Sequence, residues 1–362
     1  MKAKQQLSLL QAYKPGKPID EVKRELGLEK VVKLASNENP YGCSKRVRQA
    51  LYEQASLSVY PDGAGTGMKE AISTHLSVNK DEILLGSGLD EVIQIVSRAL
   101  LTQEDNIVQA TPTFSQYSHH AVIEGAEVRE VPLYDGVHDL PAMLQAIDEH
   151  TKIVWVCNPN NPSGTYVNEQ QLISFLREVP PSTLVILDEA YYEYVVATDY
   201  PQTLPLIHQY PNVMVMRTFS KAYGLAGLRI GYAVANAQLI EQLEVARLPF
   251  NTSSLAQASA VVALEDIAFV EECREKNRKE LERYYDFCRK NRLFYYPSET
   301  NFILMELGIS GDMAFQALLR AGYIVRSGGA LGFPSMIRVS IGTAEENKGC
   351  IEQLQRLVDE AR

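Results

Sequence analysis

Between residues 83 and 234 the chain repeats one pattern: a short apolar run, then a longer stretch in which apolar and polar residues alternate with a helical period. The apolar runs fall at 83–85, 107–108, 128–131, 153–156, 184–187, 213–216 and 230–234. Strands this short and this apolar are buried on both faces, as in a parallel sheet. The stretches between them predict helices over 89–101, 114–124, 140–149, 169–178 and 238–247. Strand and helix in alternation give an α/β fold, a mostly parallel central sheet covered by helices.

The pattern changes near Leu248-Pro-Phe-Asn-Thr-Ser253. A long helix is predicted over 269–292, with Val270, Cys273, Asn277, Leu281, Tyr284 and Cys288 on one face. Strands at 302–305, 323–325 and 337–341 complete a smaller α+β domain at the C-terminal end. At the other end, Tyr13-Lys-Pro-Gly-Lys-Pro18 is incompatible with helix, and a short helix follows near 20–26. The expected division is an N-terminal arm at 1–30, a large domain at 31–247 and a small domain at 248–362.

Composition narrows the function. Of 362 residues, 46% are hydrophobic and 22% charged, ordinary for a soluble globular protein. A net charge of −10 argues against a nucleic-acid partner, which selects a basic face. The five cysteines, at 43, 157, 273, 288 and 350, are odd in number and scattered, which suits reduced thiols in the cytoplasm. No run reaches 18 apolar residues, so no membrane span is expected. His119 and His120 are adjacent without further ligand spacing, so no metal site is expected. The glycines at 63, 65 and 67 follow a proline turn rather than a strand, unlike a dinucleotide loop.

In parallel α/β sheets, ligands bind beyond the carboxyl ends of the strands. Four segments there carry unusual chemistry. Gly86-Ser-Gly88 precedes a helix opening with Leu89 and Asp90, whose amides can hold an anion or merely complete a tight turn. Asn158-Pro-Asn-Asn-Pro-Ser-Gly164 places an amide on a proline-locked loop. Asp188-Glu-Ala-Tyr191 ends a strand with an acid that can cap a helix or face a ligand. Glu189 and Asp188, as neighbours at a strand end, point different ways and do not form an acid/base dyad. Ser220 and Lys221 follow the 213–216 run, with Arg229 eight residues later. Lys221 alone reads equally as a loop lysine keeping its head in water. Taken together, the set suits a phosphorylated aromatic aldehyde. The lysine forms a Schiff base, the aspartate pairs with a protonated ring nitrogen, and the remaining groups hold the phenolic oxygen and the phosphate. Those are the features of pyridoxal 5′-phosphate (PLP).

The three motifs Asn158–Gly164, Asp188–Tyr191 and Ser220-Lys-Ala-Tyr-Gly-Leu-Ala-Gly-Leu-Arg229 resemble those of fold-type I, class II-type PLP aminotransferases, and the resemblance covers nearly the whole chain. Tyr13–Pro18, Asn37-Glu-Asn-Pro-Tyr-Gly42, Tyr60-Pro-Asp-Gly63 and Ile337-Arg-Val-Ser-Ile-Gly-Thr343 resemble the histidinol-phosphate aminotransferase branch. The resemblance implies that Lys221 carries PLP and that Asp188 meets the pyridine nitrogen. It implies that Asn161 and Tyr191 meet the 3′ oxygen, and that Ser220, Arg229 and the amides at Leu89 and Asp90 hold the phosphate. Phe114 stands where the family stacks an aromatic ring, often a tyrosine. Tyr60 is expected to reach the site of a neighbouring subunit, which implies a homodimer.

For the substrate, Arg326 and Arg338 are expected to converge on a phosphate, with Tyr13 and Asn37 also near it. Ser327–Pro334 reads as a flexible loop over the site. The implied reaction converts L-histidinol phosphate and 2-oxoglutarate to imidazole-acetol phosphate and L-glutamate, a step of histidine biosynthesis. The rival activities are an aromatic amino-acid aminotransferase, or one enzyme with both specificities, and a PLP decarboxylase of an amino-acid phosphate. A non-catalytic binding protein on this fold is a further rival, opposed by the intact lysine, aspartate and arginine set.

Overall fold

The structure, a computed structural model, describes residues 3–10, 17–53 and 57–362. Tyr13 lies outside them. Twelve strands are described in chain order. They are β1 (Val32–Lys33), β2 (Ile83–Gly86), β3 (Asn106–Thr111), β4 (Glu127–Pro132), β5 (Thr151–Cys157) and β6 (Leu184–Asp188). The remainder are β7 (Val213–Thr218), β8 (Gly231–Ala235), β9 (Phe302–Glu306), β10 (Tyr323–Ile324), β11 (Arg326–Ser327) and β12 (Met336–Ser340).

Seven of them form the central sheet in the order β2-β8-β7-β6-β5-β3-β4. All seven coincide with predicted apolar runs. Pairings from β4 through β3, β5 and β6 to β7 are parallel, and only β8 runs against its neighbours β7 and β2. The strand order reverses between β3 and β5, which opens a crevice at their carboxyl ends.

Apart from the edge strand β4, both faces of the sheet are buried, so consecutive strand residues serve two different cores. Val108, Val154, Val185 and Val215 pack on one side with helices Thr66–Leu76 and Glu169–Glu178. Ile107, Ile153, Trp155, Ile186 and Met214 pack on the other with helices Leu89–Leu100 and Gln116–Glu124. The helix expected over 140–149 stops at Gln145. Beyond it the Asp148 carboxylate accepts the His150 amide and the Asn106 amide nitrogen, each at 2.9 Å, a local alternative to helical bonding.

The small domain is built on the antiparallel sheet β11-β12-β9 and the helices Ile267–Asn291, Gly311–Arg320 and Ala344–Glu360. The buried face expected on the long helix is present, from Val270 to Cys288. Packing crosses both expected domain limits. Helix Ser254–Glu265 packs Ala256, Ala260 and Ala263 into the same core as Val108 and Val154 of the large domain. Conversely, Val32 and Leu34 belong to the small-domain core, because β1 pairs in parallel with β10.

Candidate active site

A cavity of about 1000 Å³ opens at the carboxyl ends of the parallel strands, between the two domains. Most residues singled out from the sequence line it together: Asn37, Leu89, Asp90, Phe114, Asn161, Asp188, Tyr191, Ser220, Lys221, Arg229, Arg326 and Arg338. Tyr60 does not line it. Its ring is 80% exposed and stacks on Phe250, with centroids 4.7 Å apart.

Lys221 reaches this crevice because β7 ends at Thr218 and the chain then folds back on itself. The Leu225 amide returns to the Phe219 carbonyl at 2.9 Å, and the Gly224 amide to the Lys221 carbonyl at 3.0 Å. Gly224 has φ of +72°, and a Cβ there would lie 1.9 Å from the Gly42 carbonyl oxygen. The Asn37–Gly42 loop therefore lies directly against the lysine turn, where Asn39 donates to the Ala222 carbonyl at 2.8 Å. The ammonium of Lys221 makes a long contact, 3.5 Å, to the Ser36 carbonyl and lies 5.7 Å from the centre of the Tyr191 ring. Burial, followed by the charge of Arg338, pulls its pKa down to about 8.

Asp188 ends β6 and is 3% exposed. Its Oδ2 accepts the Tyr117 hydroxyl at 2.5 Å and its Oδ1 the Ala190 amide at 3.1 Å. Burial pushes its pKa up to about 6, while these two donors act in the opposite direction. Tyr117 is a site residue that sequence reading missed. It is fully buried, stacked on Trp155 at 4.4 Å and edge-on to Phe114 at 5.5 Å. Its only signal was its place one turn beyond Phe114 on a helix that starts at the cavity.

Two further contacts tie the domains together across the site. Arg338 Nη1 donates to Asn161 Oδ1 at 2.6 Å, and its Nη2 to the Ala35 carbonyl at 2.8 Å. Asn37 Nδ2 donates to the Tyr191 hydroxyl at 2.9 Å, and Ser340 Oγ donates to Asn37 Oδ1 at 2.7 Å. Asn37, expected beside the substrate, thus uses both ends of its amide on the protein itself. Arg326 stands directly opposite Arg338 in the antiparallel β11–β12 pair, so the two side chains leave the same face of the sheet. On the far wall, Arg229 pairs with Asp90 at 3.3 Å, both about half exposed. Gly88, with φ of +77°, caps the helix that begins at Leu89. Leu89, Asp90 and Glu91 are the first-turn amides that an α-helix leaves without internal partners.

Glu189 takes no part in the cavity. It faces Arg217, Tyr200 and Thr203 on the other side of the strand, as expected for a neighbour of Asp188.

Known proteins resemble the chain over nearly its whole length. The chain is 62% identical, over 99% of its length and 98% of the relative's, to histidinol-phosphate aminotransferase 1 of Bacillus thuringiensis subsp. konkukian (strain 97-27). It is 58% identical to the histidinol-phosphate aminotransferase of Geobacillus sp. (strain WCH70), with 99% of each chain covered. Among solved structures, histidinol-phosphate aminotransferase from Sinorhizobium meliloti in complex with pyridoxal-5′-phosphate superimposes with a TM-score of 0.89. That match is at 26% identity and covers 99% of this chain and 98% of the other. A family model for aminotransferase class I and II matches residues 29–354, and the chain belongs to that family.

Proposed function

We propose that the protein transfers the amino group of L-histidinol phosphate to 2-oxoglutarate, giving imidazole-acetol phosphate and L-glutamate, with PLP held at Lys221. The observation that carries the substrate assignment is the facing pair Arg326 and Arg338 in the cavity that Lys221 also lines. Like charges directly opposite each other on a sheet are destabilising unless an anion lies between them. Two guanidinium forks suit a dianionic phosphate better than a single carboxylate. Relatives 58% and 62% identical over nearly the full chain are named for this reaction.

The residues fit PLP in charge and in hydrogen bonding. Asp188 is a buried carboxylate whose partners, a hydroxyl and an amide, are neutral, so it suits the proton on a pyridine nitrogen. Asn161 Oδ1 is taken by Arg338, which leaves its amide nitrogen for the 3′ oxygen. Tyr191 accepts from Asn37, which leaves its own proton for the same oxygen. The first-turn amides at Leu89 and Asp90, the Ser220 hydroxyl and Arg229 suit the phosphate. The exposed Arg229–Asp90 pair is weak enough to be exchanged for it.

When bound, PLP supplies the electron sink for negative charge at the substrate Cα. Asp188 holds the ring-nitrogen proton in place. Lys221, with its pKa down to about 8, is substantially a neutral amine in mildly alkaline solution. Once the substrate amine has taken its place on the cofactor, the freed lysine amine would take the proton from Cα and return one at the other end of the transfer. Phe114 would cover one face of the ring, and Arg326 and Arg338 would fix the substrate phosphate in the cavity that Lys221 also lines.

The homodimer belongs to this proposal. The exposed apolar side chains Leu57, Val59 and Tyr60, and across the Tyr60–Phe250 stack Val245 and Leu248, form a surface suited to a second copy. That placement would bring Tyr60 to the partner's cavity. Among the described residues no helix is long and apolar enough to cross a membrane, in keeping with cytoplasmic residence.

The test is a comparison of kcat/KM for histidinol phosphate, phenylalanine and tyrosine, each with 2-oxoglutarate, in the parent protein and in Arg326→Gln. Histidinol phosphate should be preferred, and the substitution should cost about 2 kcal/mol, roughly 30-fold, on that substrate with little change for the aromatic ones. Similar values for all three substrates in the parent protein would overturn the assignment in favour of a broad aromatic aminotransferase.

A further inference from the structure

The turn that opens helix Leu89–Leu100 is held from behind by residues that do not line the cavity. Glu91 Oε2 accepts the Ser87 amide at 2.5 Å and Asn251 Nδ2 at 2.7 Å. The same Asn251 nitrogen donates to the Leu85 carbonyl at 3.1 Å, and Asn251 Oδ1 accepts Arg247 Nη1 at 2.8 Å. Both N–H bonds of the amide and its oxygen are therefore in use, so its orientation is fixed. Arg247 extends the chain of bonds to the Gly63 carbonyl at 3.0 Å, and Phe250, beside Asn251, stacks on Tyr60.

This arrangement answers an electrostatic difficulty. A phosphate at the first-turn amides lies close to Glu91, a carboxylate in that same turn. Left loose, the carboxylate would repel the phosphate or compete with it for the same amides. Its bonds to Ser87 and Asn251 hold it against the Gly86–Gly88 turn instead. They also clamp the turn whose shape aims the Leu89 and Asp90 amides.

We propose that Asn251 is a positioning residue for the cofactor phosphate, acting through Glu91 on the Gly86–Gly88 turn. This rests on the reading above that the phosphate lies at Leu89 and Asp90. Asn251→Asp is the sharpest variant, because it keeps the shape but turns a lone pair toward both Glu91 and the Leu85 carbonyl. The measurement is the dissociation constant of the cofactor-free protein for PLP and for pyridoxal, which lacks the phosphate, by absorbance titration.

In Asn251→Asp the PLP constant should rise about 10- to 100-fold, as when outer-shell partners are removed from other bound groups, while the pyridoxal constant stays put. Adding Glu91→Gln to Asn251→Asp restores a donor opposite the new acceptor and should recover much of the PLP affinity. If Asn251→Asp does not fold, Arg247→Gln must show the same pattern with a smaller loss. Equal weakening of PLP and pyridoxal would make the role one of general stability, and no weakening of either would remove Asn251 from the site. Both results overturn the proposal. A parent protein that binds pyridoxal as tightly as PLP would instead sink the phosphate reading beneath it.

Discussion

Asp188 and Glu189 are neighbours at the end of β6, both at most 3% exposed, yet their surroundings differ in kind. Glu189 is fully compensated. One oxygen accepts Nε of Arg217 at 2.9 Å and lies 2.9 Å from its Nη2 as an ion pair, and the other accepts Thr203 at 2.8 Å and Tyr200 at 3.1 Å. The Arg217 guanidinium in turn lies 3.5 Å from the centre of the Tyr192 ring. Asp188 has two neutral donors and open cavity beyond them. The first acid is complete within the fold, and the second, on the function proposed above, is completed by the cofactor. Burial alone does not mark a functional charge, whereas burial without a counter-charge does.

The widest separation between the two acids is expected from Asp188→Asn. The isosteric amide removes a charge worth about 4 kcal/mol to a pyridinium at an effective dielectric near 20, so kcat/KM should fall about a thousandfold. The cofactor-free protein should move the other way. The folded pKa of Asp188, about 6, lies above its ordinary 3.8. The proton is therefore bound more tightly in the folded state, and stability is lost as pH rises from about 4 through about 6. At pH 7 that loss is on the order of 3 kcal/mol, and the neutral amide of the Asp188→Asn variant would not suffer it. Thermal unfolding without cofactor should show the variant to be the more stable at pH 7 and the two nearly equal at pH 4. A destabilised variant would mean that Asp188 is already satisfied by the fold.

Arg217→Met tests the other acid and should give the opposite result. It strands Glu189 and should cost about 3 kcal/mol of stability by urea unfolding. Activity per folded molecule should stay close to that of the parent. If kcat/KM collapsed as it does for Asp188→Asn, the division between a structural and a functional acid would be lost.

This contrast also marks what the sequence could reveal. Six of the seven sheet strands were legible because each holds a compact apolar run that few other structures would accommodate. The edge strand β4, Glu127–Pro132, carries Arg129 and Glu130 between its two valines and was placed by the alternation around it. The direction of β8 was not legible, since an apolar run has no polarity. A clue was present in the link from Thr218 to Gly231, which is short for a parallel crossover and carries only the Ala226–Leu228 turn of helix. The residues gathered around Lys221 were legible as motifs because each motif sits just after a strand, where topology must place it. The partners that tune them were not. Tyr117 finds Asp188 across 71 positions and Arg338 finds Asn161 across 177, and nothing local in the chain announces such a contact. The packing that crosses the expected domain limits was hidden for a related reason. A run of small apolar residues such as 256–263 does not say which of two cores it fills.

A smaller effect is expected at the lysine. Its depressed pKa means that the neutral amine gains as pH rises through about 8, so the rate of covalent cofactor capture by the ligand-free protein should be half-maximal near there. Arg338→Gln removes the second cause of the depression and should move that midpoint upward, while burial keeps it below the ordinary value. Stopped-flow absorbance across a pH range of about 6–10 resolves the shift. An unmoved midpoint would show burial alone to be responsible.

The smallest expected effect is that of Tyr117→Phe, which bears most finely on what separates the two acids. The substitution keeps the ring stacked on Trp155 and deletes only the hydroxyl donated to Asp188. A hydrogen bond to a charged group contributes about 1.5 kcal/mol, so kcat/KM should fall about tenfold. The loss should not be uniform in pH. Without the hydroxyl, the Asp188 pKa rises further above about 6, because one of the two groups that oppose its burial is gone. The acid limb of cofactor binding should therefore move to higher pH, and the deficit should shrink as the carboxylate ionises fully in alkaline solution. A deficit independent of pH would mean that Tyr117 acts by packing on Phe114 and Trp155, with its hydroxyl incidental. In that case Asp188 would keep only the Ala190 amide from the fold beside the cofactor's ring nitrogen, and its contrast with Glu189, paired to Arg217 and bonded by Thr203 and Tyr200, would be sharper still.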